Sequence, residues 1–360
     1  MSRRPAAPVD LGRIVTLAEF EPFARDRMTG PAFDYVAGGS WDELTLAENL
    51  EAWRRFRFLP RVLTGAGRPD VAGTFVGRPS SLPIGIAPMA AQALGHPDAE
   101  VGMARAAAAA GVPMCLSTSA SLTLEDVASG APAGDRFFQL YLVRDLGYSR
   151  SLVERAEAAG YRAIVLTVDL PVLGYRERDR RNGFALPAMP MIESANARDD
   201  RRYGGLEEQH TVGLSWKTVA AMRAWTSLPL VLKGIVSPED AGIAVDAGVA
   251  GVAVSNHGAR QLDRTLATAD ALEGVVDAVA GRCEVWVDGG IRRGLDIAIA
   301  LALGANGVLI GRPLFWALAA AGQAGVERAI AILREELELT LTLLGCATVA
   351  ELRRELVRRR

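Results

Sequence analysis

The chain has 360 residues, half of them hydrophobic, with 37 Gly, 18 Pro and a formal net charge of -2. That composition excludes a disordered chain, and the near-zero charge gives no drive toward nucleic acid or an anionic membrane surface. A single α/β barrel domain over 1–360 accommodates this length.

Arg3-Arg4 and Arg358-Arg359-Arg360 read as solvated basic tails. Cys115, Cys283 and Cys346 are odd in number and form no CxxC pair, so neither a disulfide framework nor a zinc site is expected, and no other metal. Cys115 and Cys283 lie in apolar runs and read as small buried hydrophobes. No signal-peptide stretch is evident at the N-terminus, and the longest apolar region, 297–310, is too short to span a bilayer. These features predict a soluble protein of the reducing cytoplasm.

A helical section is expected over about 17–56. Beyond it, short apolar or β-branched runs alternate with longer Ala-rich amphipathic segments. The strand candidates are 84–87, 113–117, 137–141, 163–168, 228–233, 251–255, 284–288 and 307–311. Helix candidates include 99–110, 151–159, 238–247, 295–303 and 326–343. Alternation of this kind implies parallel pairing through right-handed crossovers, and eight strands close most economically as a (β/α)8 barrel. An open doubly wound sheet is the competitor. It lacks its usual GxGxxG fingerprint, because the first strand runs into Ala87-Pro88-Met89-Ala90-Ala91. The connection from Asp169 to Leu228 spends roughly 60 residues, beyond the usual loop range. Its charged stretch 176–210 reads as a lid or specificity segment, or as a surface insertion with a mobile middle.

Barrel enzymes collect their chemistry at the C-terminal ends of the strands. Polar or special residues stand there strand after strand: Met89-Ala90, Ser117-Thr118, Gln139 and Tyr141, Thr167 and Asp169, Lys233, 255–260, 288–292, and Gly311-Arg312. Glycine with arginine after strand seven (Gly289, Gly290, Arg292) and after strand eight (Gly311, Arg312) suits a phosphate group, since glycine admits backbone N–H groups and arginine supplies a bidentate fork. Taken singly, both are also ordinary turn signals. His257, one of three histidines with His96 and His210, follows a buried strand and precedes Arg260. Such a pair can take a proton and clamp a carboxylate, although a lone histidine there is more often structural. Asp169 is positioned in sequence to support an imidazolium.

Ser255-Asn256-His257-Gly258-Ala259-Arg260-Gln261-Leu262-Asp263 closely resembles the signature of the FMN-dependent 2-hydroxy acid oxidase and dehydrogenase family. Supporting matches are Phe137-Phe138-Gln139-Leu140-Tyr141, Leu166-Thr167-Val168-Asp169, Lys233-Gly234, Asp288-Gly289-Gly290-Ile291-Arg292-Arg293-Gly294, Gly311-Arg312-Pro313, and Asp34-Tyr35 before Ala37-Gly38-Gly39. The resemblance runs from about 33 to 346. It implies an FMN enzyme that oxidises a small (S)-2-hydroxy acid to the 2-oxo acid and passes electrons to dioxygen or another acceptor, as a homotetramer or homo-octamer. Position by position it makes His257 the base, Asp169 its partner, Arg260, Tyr35 and Arg176 the carboxylate clamp, and Tyr141 a contact to the hydroxyl or carboxylate. Lys233 would face the flavin N1–O2 edge. Ala87, Pro88, Met89, Ala90, Ser117, Gln139, Thr167 and Ser255 would contact the flavin ring or ribityl chain, and Asp288, Gly290, Arg292, Gly311 and Arg312 the ribityl and phosphate.

Two departures inform the substrate. Ala90 stands where the mandelate dehydrogenase branch often has glycine, which leans toward oxygen as acceptor. Ser117-Thr118-Ser119 replaces a Ser-Ser-Trp segment, so Ser119 opens the pocket toward a bulky or aryl side group. Gly174-Tyr175-Arg176 and 182–187 resemble the mandelate and hydroxymandelate branch, without its membrane insert, a haem domain or a peroxisomal C-terminal tripeptide. A flavin-barrel isomerase, an NAD-linked barrel dehydrogenase and a non-catalytic flavin-binding protein are the alternative classes. None of them needs arginines and a histidine base arranged together.

Overall fold

The computed structural model describes residues 8–187, 189–192 and 214–360. Eight parallel strands close on themselves: β1 (Ile84–Ile86), β2 (Met114–Ser117), β3 (Arg136–Leu140), β4 (Ile164–Thr167), β5 (Leu230–Ile235), β6 (Gly251–Val254), β7 (Glu284–Val287) and β8 (Gly307–Ile310). They follow one another around the barrel in chain order, and β8 returns to pair with β1 through Val308 opposite Ile84. The expected (β/α)8 barrel is the observed fold.

A helix follows each strand: α1 (Ala99–Ala110), α2 (Leu124–Gly130), α3 (Leu146–Ala158), α4 (Trp216–Met222), α5 (Pro238–Asp246), α6 (Thr268–Val279), α7 (Gly294–Ala302) and α8 (Arg312–Leu344). Local chemistry sets their limits. Thr123, Asp145 and Ser237 cap α2, α3 and α5 by accepting a backbone N–H three residues on, and Gly111 ends α1 at φ +67. The Asp145 cap starts α3 at Leu146, ahead of the expected 151. The start of α8 lies further from expectation, at Arg312 rather than 326. Residues 313–320 are buried on every side, so that part of the helix has no amphipathic period to read. A kink at Ala321–Gly322 interrupts the helix, and Asp98 Oδ2 accepts the Gln323 N–H there at 2.9 Å.

Inside the barrel lies a separate core of Phe75, Phe137 and Trp286 with small neighbours such as Ala163 and Ala253. Phe75 comes from outside the barrel, in an antiparallel hairpin (Gly73–Phe75 with Arg78–Ser80) that closes the N-terminal end. Its ring centroid is 5.2 Å from that of Trp286, which stacks on Phe137 at 5.7 Å. The Glu284 carboxylate fixes this floor by accepting from Val76 N, Gly77 N and Trp286 Nε1.

The helical N-terminal section resolves into Phe20–Arg27, Gly30–Ala37 and Leu44–Arg54. Two expectations need correcting. Arg358 and Arg359 are not a free tail: Val357–Arg359 pairs antiparallel with Phe56–Phe58, and Arg359 bonds Asp270 at 2.5 Å. Cys283 is half-buried because it stands just before β7, whereas Cys115 within β2 is buried. Arg3 and Arg4, His210 and the middle of the 176–210 stretch lie outside the described residues. Among the described residues, no helix is long and apolar enough to cross a membrane.

Phe75→Ala should lower the unfolding free energy by about 3–5 kcal/mol, the usual cost of emptying a buried aromatic site. Urea denaturation checks this, and a loss under 1 kcal/mol would mean that the floor collapses to fill the void.

Candidate active site

At the C-terminal end of the barrel a single cavity is lined by every residue expected from sequence to serve catalysis or binding, except Asp169, Gln139 and Ser255. Those three support lining residues from behind: Asp169 bonds His257, Gln139 bonds Ser117, and Ser255 bonds Lys233. The barrel topology is what unites residues as distant in sequence as Tyr35 and Arg312.

His257 occupies a turn of three successive left-handed residues, with φ 58 at His257, 62 at Gly258 and 63 at Ala259. Left-handed backbone costs a non-glycine residue on the order of 1–3 kcal/mol, so this turn must be held. Holding it are Ser255 Oγ on His257 N (3.1 Å), Asn256 Oδ1 on Ala259 N (3.1 Å) and the Ala259 carbonyl on Ser40 N (3.0 Å). The imidazole Nδ1 lies 2.8 Å from Asp169 Oδ1. A carboxylate can only accept, so the ring proton sits on Nδ1 and Nε2 presents its lone pair to the cavity, 3.3 Å from Tyr141 Oη.

Burial pushes the His257 pKa below its ordinary 6.5, outweighing the opposing pull of Asp169, and the nearby cations Lys233 and Arg176 add to the depression. Burial alone would raise Asp169, but His257 and Lys233 outweigh it and keep the carboxylate below its ordinary value. A neutral imidazole beside an ionised carboxylate is the state that a general base requires. Tyr141 is driven upward by burial and then by Asp169, so its phenol stays protonated as a donor.

Four arginines surround the cavity: Arg176, Arg260, Arg292 and Arg312. Among the described residues none of them has a carboxylate within ion-pair distance. Arg312 instead donates to the carbonyls of Val36 (2.7 Å), Gly38 and Gly258, and Arg260 donates to those of Tyr35 and Gly38. Arg260 also lies over the Tyr35 ring at 4.6 Å, and Arg292 over Trp316 at 5.6 Å. Burial lowers Arg312 to about 9, helped by repulsion from Arg260 and Arg292. Burial likewise lowers Arg292 and Arg176 to about 10, the latter also repelled by Arg260. Enclosed cations without counter-ions make a site for anions.

Lys233 is buried, with Nζ 2.9 Å from Asp288 Oδ2 and 2.8 Å from Ser255 Oγ. Burial alone would lower it, but Asp288 and Asp169 prevail and raise its pKa, so the ammonium is retained. That Lys233–Asp288 pair was not legible from the separate motifs.

Other lining residues also went unforeseen. Leu46, Asn49 and Leu50 come from helix Leu44–Arg54, and Leu170, Leu173 and Leu186 from the long connection. Helix Leu44–Arg54 explains Gly290: a Cβ there would lie 1.8 Å from the Asn49 carbonyl oxygen. Trp53 Nε1 donates to the Gly289 carbonyl at 2.8 Å, and Asn49 exchanges two amide bonds with Asn256. An N-terminal helix pattern alone carries no signal for these contacts. Ser119, expected to widen the cavity, is buried in its wall beside Ala90.

A parallel barrel with a histidine–carboxylate pair, a buried lysine and arginines that meet no carboxylate among the described residues defines a class of barrel enzyme built to bind anionic ligands beside a base. The chain belongs to the FMN-dependent dehydrogenase family, whose sequence profile matches residues 24–359. It is 47% identical over 353 residues to glycolate oxidase 1 of Oryza sativa subsp. indica, with 96% of this chain and 95% of that protein covered. Glycolate oxidase of Spinacia oleracea is 46% identical over 353 residues, covering 95% of each. Among solved structures, mandelate oxidase with (S)-4-hydroxymandelic acid superposes with a TM-score of 0.89 at 45% identity, covering 96% of this chain and 98% of that one. The protein is an FMN-dependent 2-hydroxy acid oxidase.

Its own atoms fit that cofactor. Arg292 and Arg312 offer uncompensated charge beside the Gly289-Gly290 turn, which suits a phosphate. Gln139 Nε2 and Asp288 Oδ1 are buried and have no partner among the described residues, so a donor and an acceptor await a polar group. If Arg312 awaits the FMN phosphate, Arg312→Met should weaken FMN binding by about 10–100-fold, the loss of one charged hydrogen-bonding partner. The apoprotein should melt close to wild type, because removing a buried cation without a counter-ion offsets the loss of its bonds to the Val36, Gly38 and Gly258 carbonyls. Fluorescence titration of FMN into apoprotein, with thermal melts alongside, checks both.

Proposed function

We propose that this oxidase acts on an aryl (S)-2-hydroxy acid of the mandelate or 4-hydroxymandelate class, passing electrons to dioxygen to give the 2-oxo acid and hydrogen peroxide. The observation that carries the substrate reading is Ser119. Its small side chain lines the same cavity as Ala90 and the apolar Leu170 and Leu173, and leaves room for a ring where a tryptophan would close the space. Burying a ring rather than a methyl group there contributes on the order of 2 kcal/mol, about 30-fold in kcat/KM. Ala90 and the oxidase relatives support oxygen as the acceptor.

In this reading Arg260 and Arg176 grip the substrate carboxylate as the missing counter-ion, with Tyr35 completing the clamp. Tyr141 donates to the reacting end of the substrate. His257 Nε2 takes one proton, and Asp169, held to Nδ1, stabilises the imidazolium that results. FMN, when bound, supplies the two-electron acceptor. Lys233, kept charged by Asp288, offers its ammonium to the negative charge that develops on the cofactor. Ala87, Pro88, Met89, Ala90, Ser117, Gln139, Thr167 and Ser255 would surround the cofactor's ring and ribityl chain, with Asp288, Gly290, Arg292, Gly311 and Arg312 at its ribityl and phosphate end. A homotetramer or homo-octamer belongs to the same reading, and size-exclusion chromatography with light scattering tests it.

A second reading has its own observation. Leu186, from the long connection, also lines the cavity and packs with Ala90, Ala91, Met189 and Ile192. Filling the Ser119 space in this way would leave a lactate- or glycolate-sized pocket. Ranking kcat/KM for glycolate, lactate, 2-hydroxyoctanoate and (S)-mandelate decides between the two. Mandelate should lead, and Ser119→Trp should shift preference back toward small acids. A clear lead for glycolate or lactate in the wild type rejects the aryl pocket.

The base assignment makes its own prediction. His257→Gln should retain FMN while slowing flavin reduction by about 10²–10⁴-fold. Because the base works when neutral and its pKa is depressed, kcat/KM should fall on the acid side only below pH 6.5 and stay flat from neutrality until Arg176, lowered to about 10, begins to lose its proton. Stopped-flow reduction across pH tests this, and an acid limb centred above 6.5 would overturn the neutral-imidazole assignment.

A further inference from the structure

Glu100 is fully buried in the first turn of α1, yet it forms no ion pair among the described residues. Its carboxylate Oε1 accepts two backbone N–H bonds, from Gln92 at 3.0 Å and from Ser121 at 2.8 Å. Gln92 belongs to the loop after β1 and Ser121 to the loop after β2. Two further bonds join the same loops: Ala91 N to the Ser119 carbonyl (2.9 Å) and Ala93 N to Ser121 Oγ (3.0 Å). Ala90 and Ser119, the small residues of the cavity wall, lie on this pair of loops. Ala91 between them is left-handed at φ 52, so the first loop is held in a conformation that alanine disfavours.

We infer that Glu100 is a positioning residue for substrate choice: its carboxylate holds the Ala90 loop and the Ser119 loop in register and so sets the width of the side-group end of the pocket. The inference rests on the proposed function for the assignment of that wall to the side group. A bare packing role would be filled by an aliphatic side chain at lower desolvation cost. Instead a carboxyl group stands there with Oε2 buried and unpartnered, as is the side-chain oxygen of Gln92. Burial raises the Glu100 pKa toward the neutral carboxyl, in which Oε2 is no longer a buried charged acceptor. A glutamine in its place supplies the same acceptor and an N–H donor.

Three variants of the FMN-loaded enzyme test this: Glu100→Gln, Glu100→Leu and Ser121→Ala. Glu100→Leu removes the bridge outright, whereas Ser121→Ala keeps the backbone bond to Glu100 and removes the hydroxyl that interacts with that carboxyl and accepts from Ala93 N. The readouts are the ratio of kcat/KM for (S)-mandelate to that for glycolate, and the dissociation constant of benzoylformate from the change in the visible flavin spectrum. Glu100→Leu should shift the ratio by about tenfold or more, mainly through KM, and weaken benzoylformate binding in parallel. Ser121→Ala should shift the ratio in the same direction by a smaller factor, and Glu100→Gln should stay within twofold of wild type. If Glu100→Leu does not hold FMN, Ser121→Ala carries the test. A ratio and dissociation constant unchanged in the Leu and Ala variants, with only a lower melting temperature, would overturn the inference. So would a Gln variant that behaves like Leu. The wild-type ratio judges the aryl reading, whereas only its change among the variants judges Glu100, so the two can fail separately.

Discussion

Uncompensated guanidinium charge at the mouth of the barrel is the constraint around which the rest of the site is arranged. Bringing an ion out of water costs several kcal/mol even after relaxation, and this protein does so with four arginines that meet no carboxylate at bonding distance among the described residues. Backbone carbonyls stand in for counter-ions. Gly38 serves both Arg260 and Arg312, with Val36, Tyr35 and Gly258 beside it, while Arg176 donates to the Arg260 carbonyl and Arg292 to that of Ile291. Carbonyl dipoles solvate a cation without neutralising it, so the site keeps its affinity for anions, which the proposed function assigns to the FMN phosphate and the substrate carboxylate.

Those carbonyls come largely from the N-terminal section, which therefore acts as part of the site. Helix Gly30–Ala37 and the residues after it carry the acceptors for Arg260 and Arg312. Helix Leu44–Arg54 meets the signature turn through the Asn49–Asn256 amide pair and through Asp263, whose carboxylate caps its first turn at Leu44 N and Thr45 N. The same helix meets the strand-seven turn through Trp53 and the close approach to Gly290. One helix thus braces both the strained His257 turn and the glycine turn beside Arg292. The histidine proposed as base and the arginine proposed for the phosphate share a single support.

The barrel was legible because β-strand runs and turn residues recur at short intervals, and the strand ends could be read almost residue by residue. Legibility failed where burial removes periodicity, as in the first half of α8, or where a contact joins segments with no shared pattern. Asn49 with Asn256, Lys233 with Asp288 and the Phe75 floor are of that second kind. Site residues were accessible from sequence because chemistry is concentrated at strand ends, where a short motif holds several of them. Their supports were not, since a helix such as Leu44–Arg54 shows only its amphipathic face and not what it touches. The C-terminal arginines illustrate the same limit: charge predicts solvent, but pairing of Val357–Arg359 with Phe56–Phe58 is a tertiary fact.

The distribution of these supports separates the reaction from the choice of substrate. His257, Asp169 and Lys233 are bonded to one another's strand ends, and Arg260 and Arg312 to the N-terminal section, so the part of the site assigned to the reaction is held by the scaffold. Ala90, Ser119 and Leu186 instead sit on loops after β1, β2 and β4, where a change of side-chain volume leaves the catalytic bonds untouched. Whole-chain similarity then says little about the side group accepted. The chain is 47% identical to a glycolate oxidase and 45% identical to a mandelate oxidase. A difference that small, spread over some 350 positions, cannot rank two acids whose discrimination depends on a few wall residues. In the proposed reading, substrate preference follows the volume enclosed by those loops and the bonds that hold them at a fixed spacing.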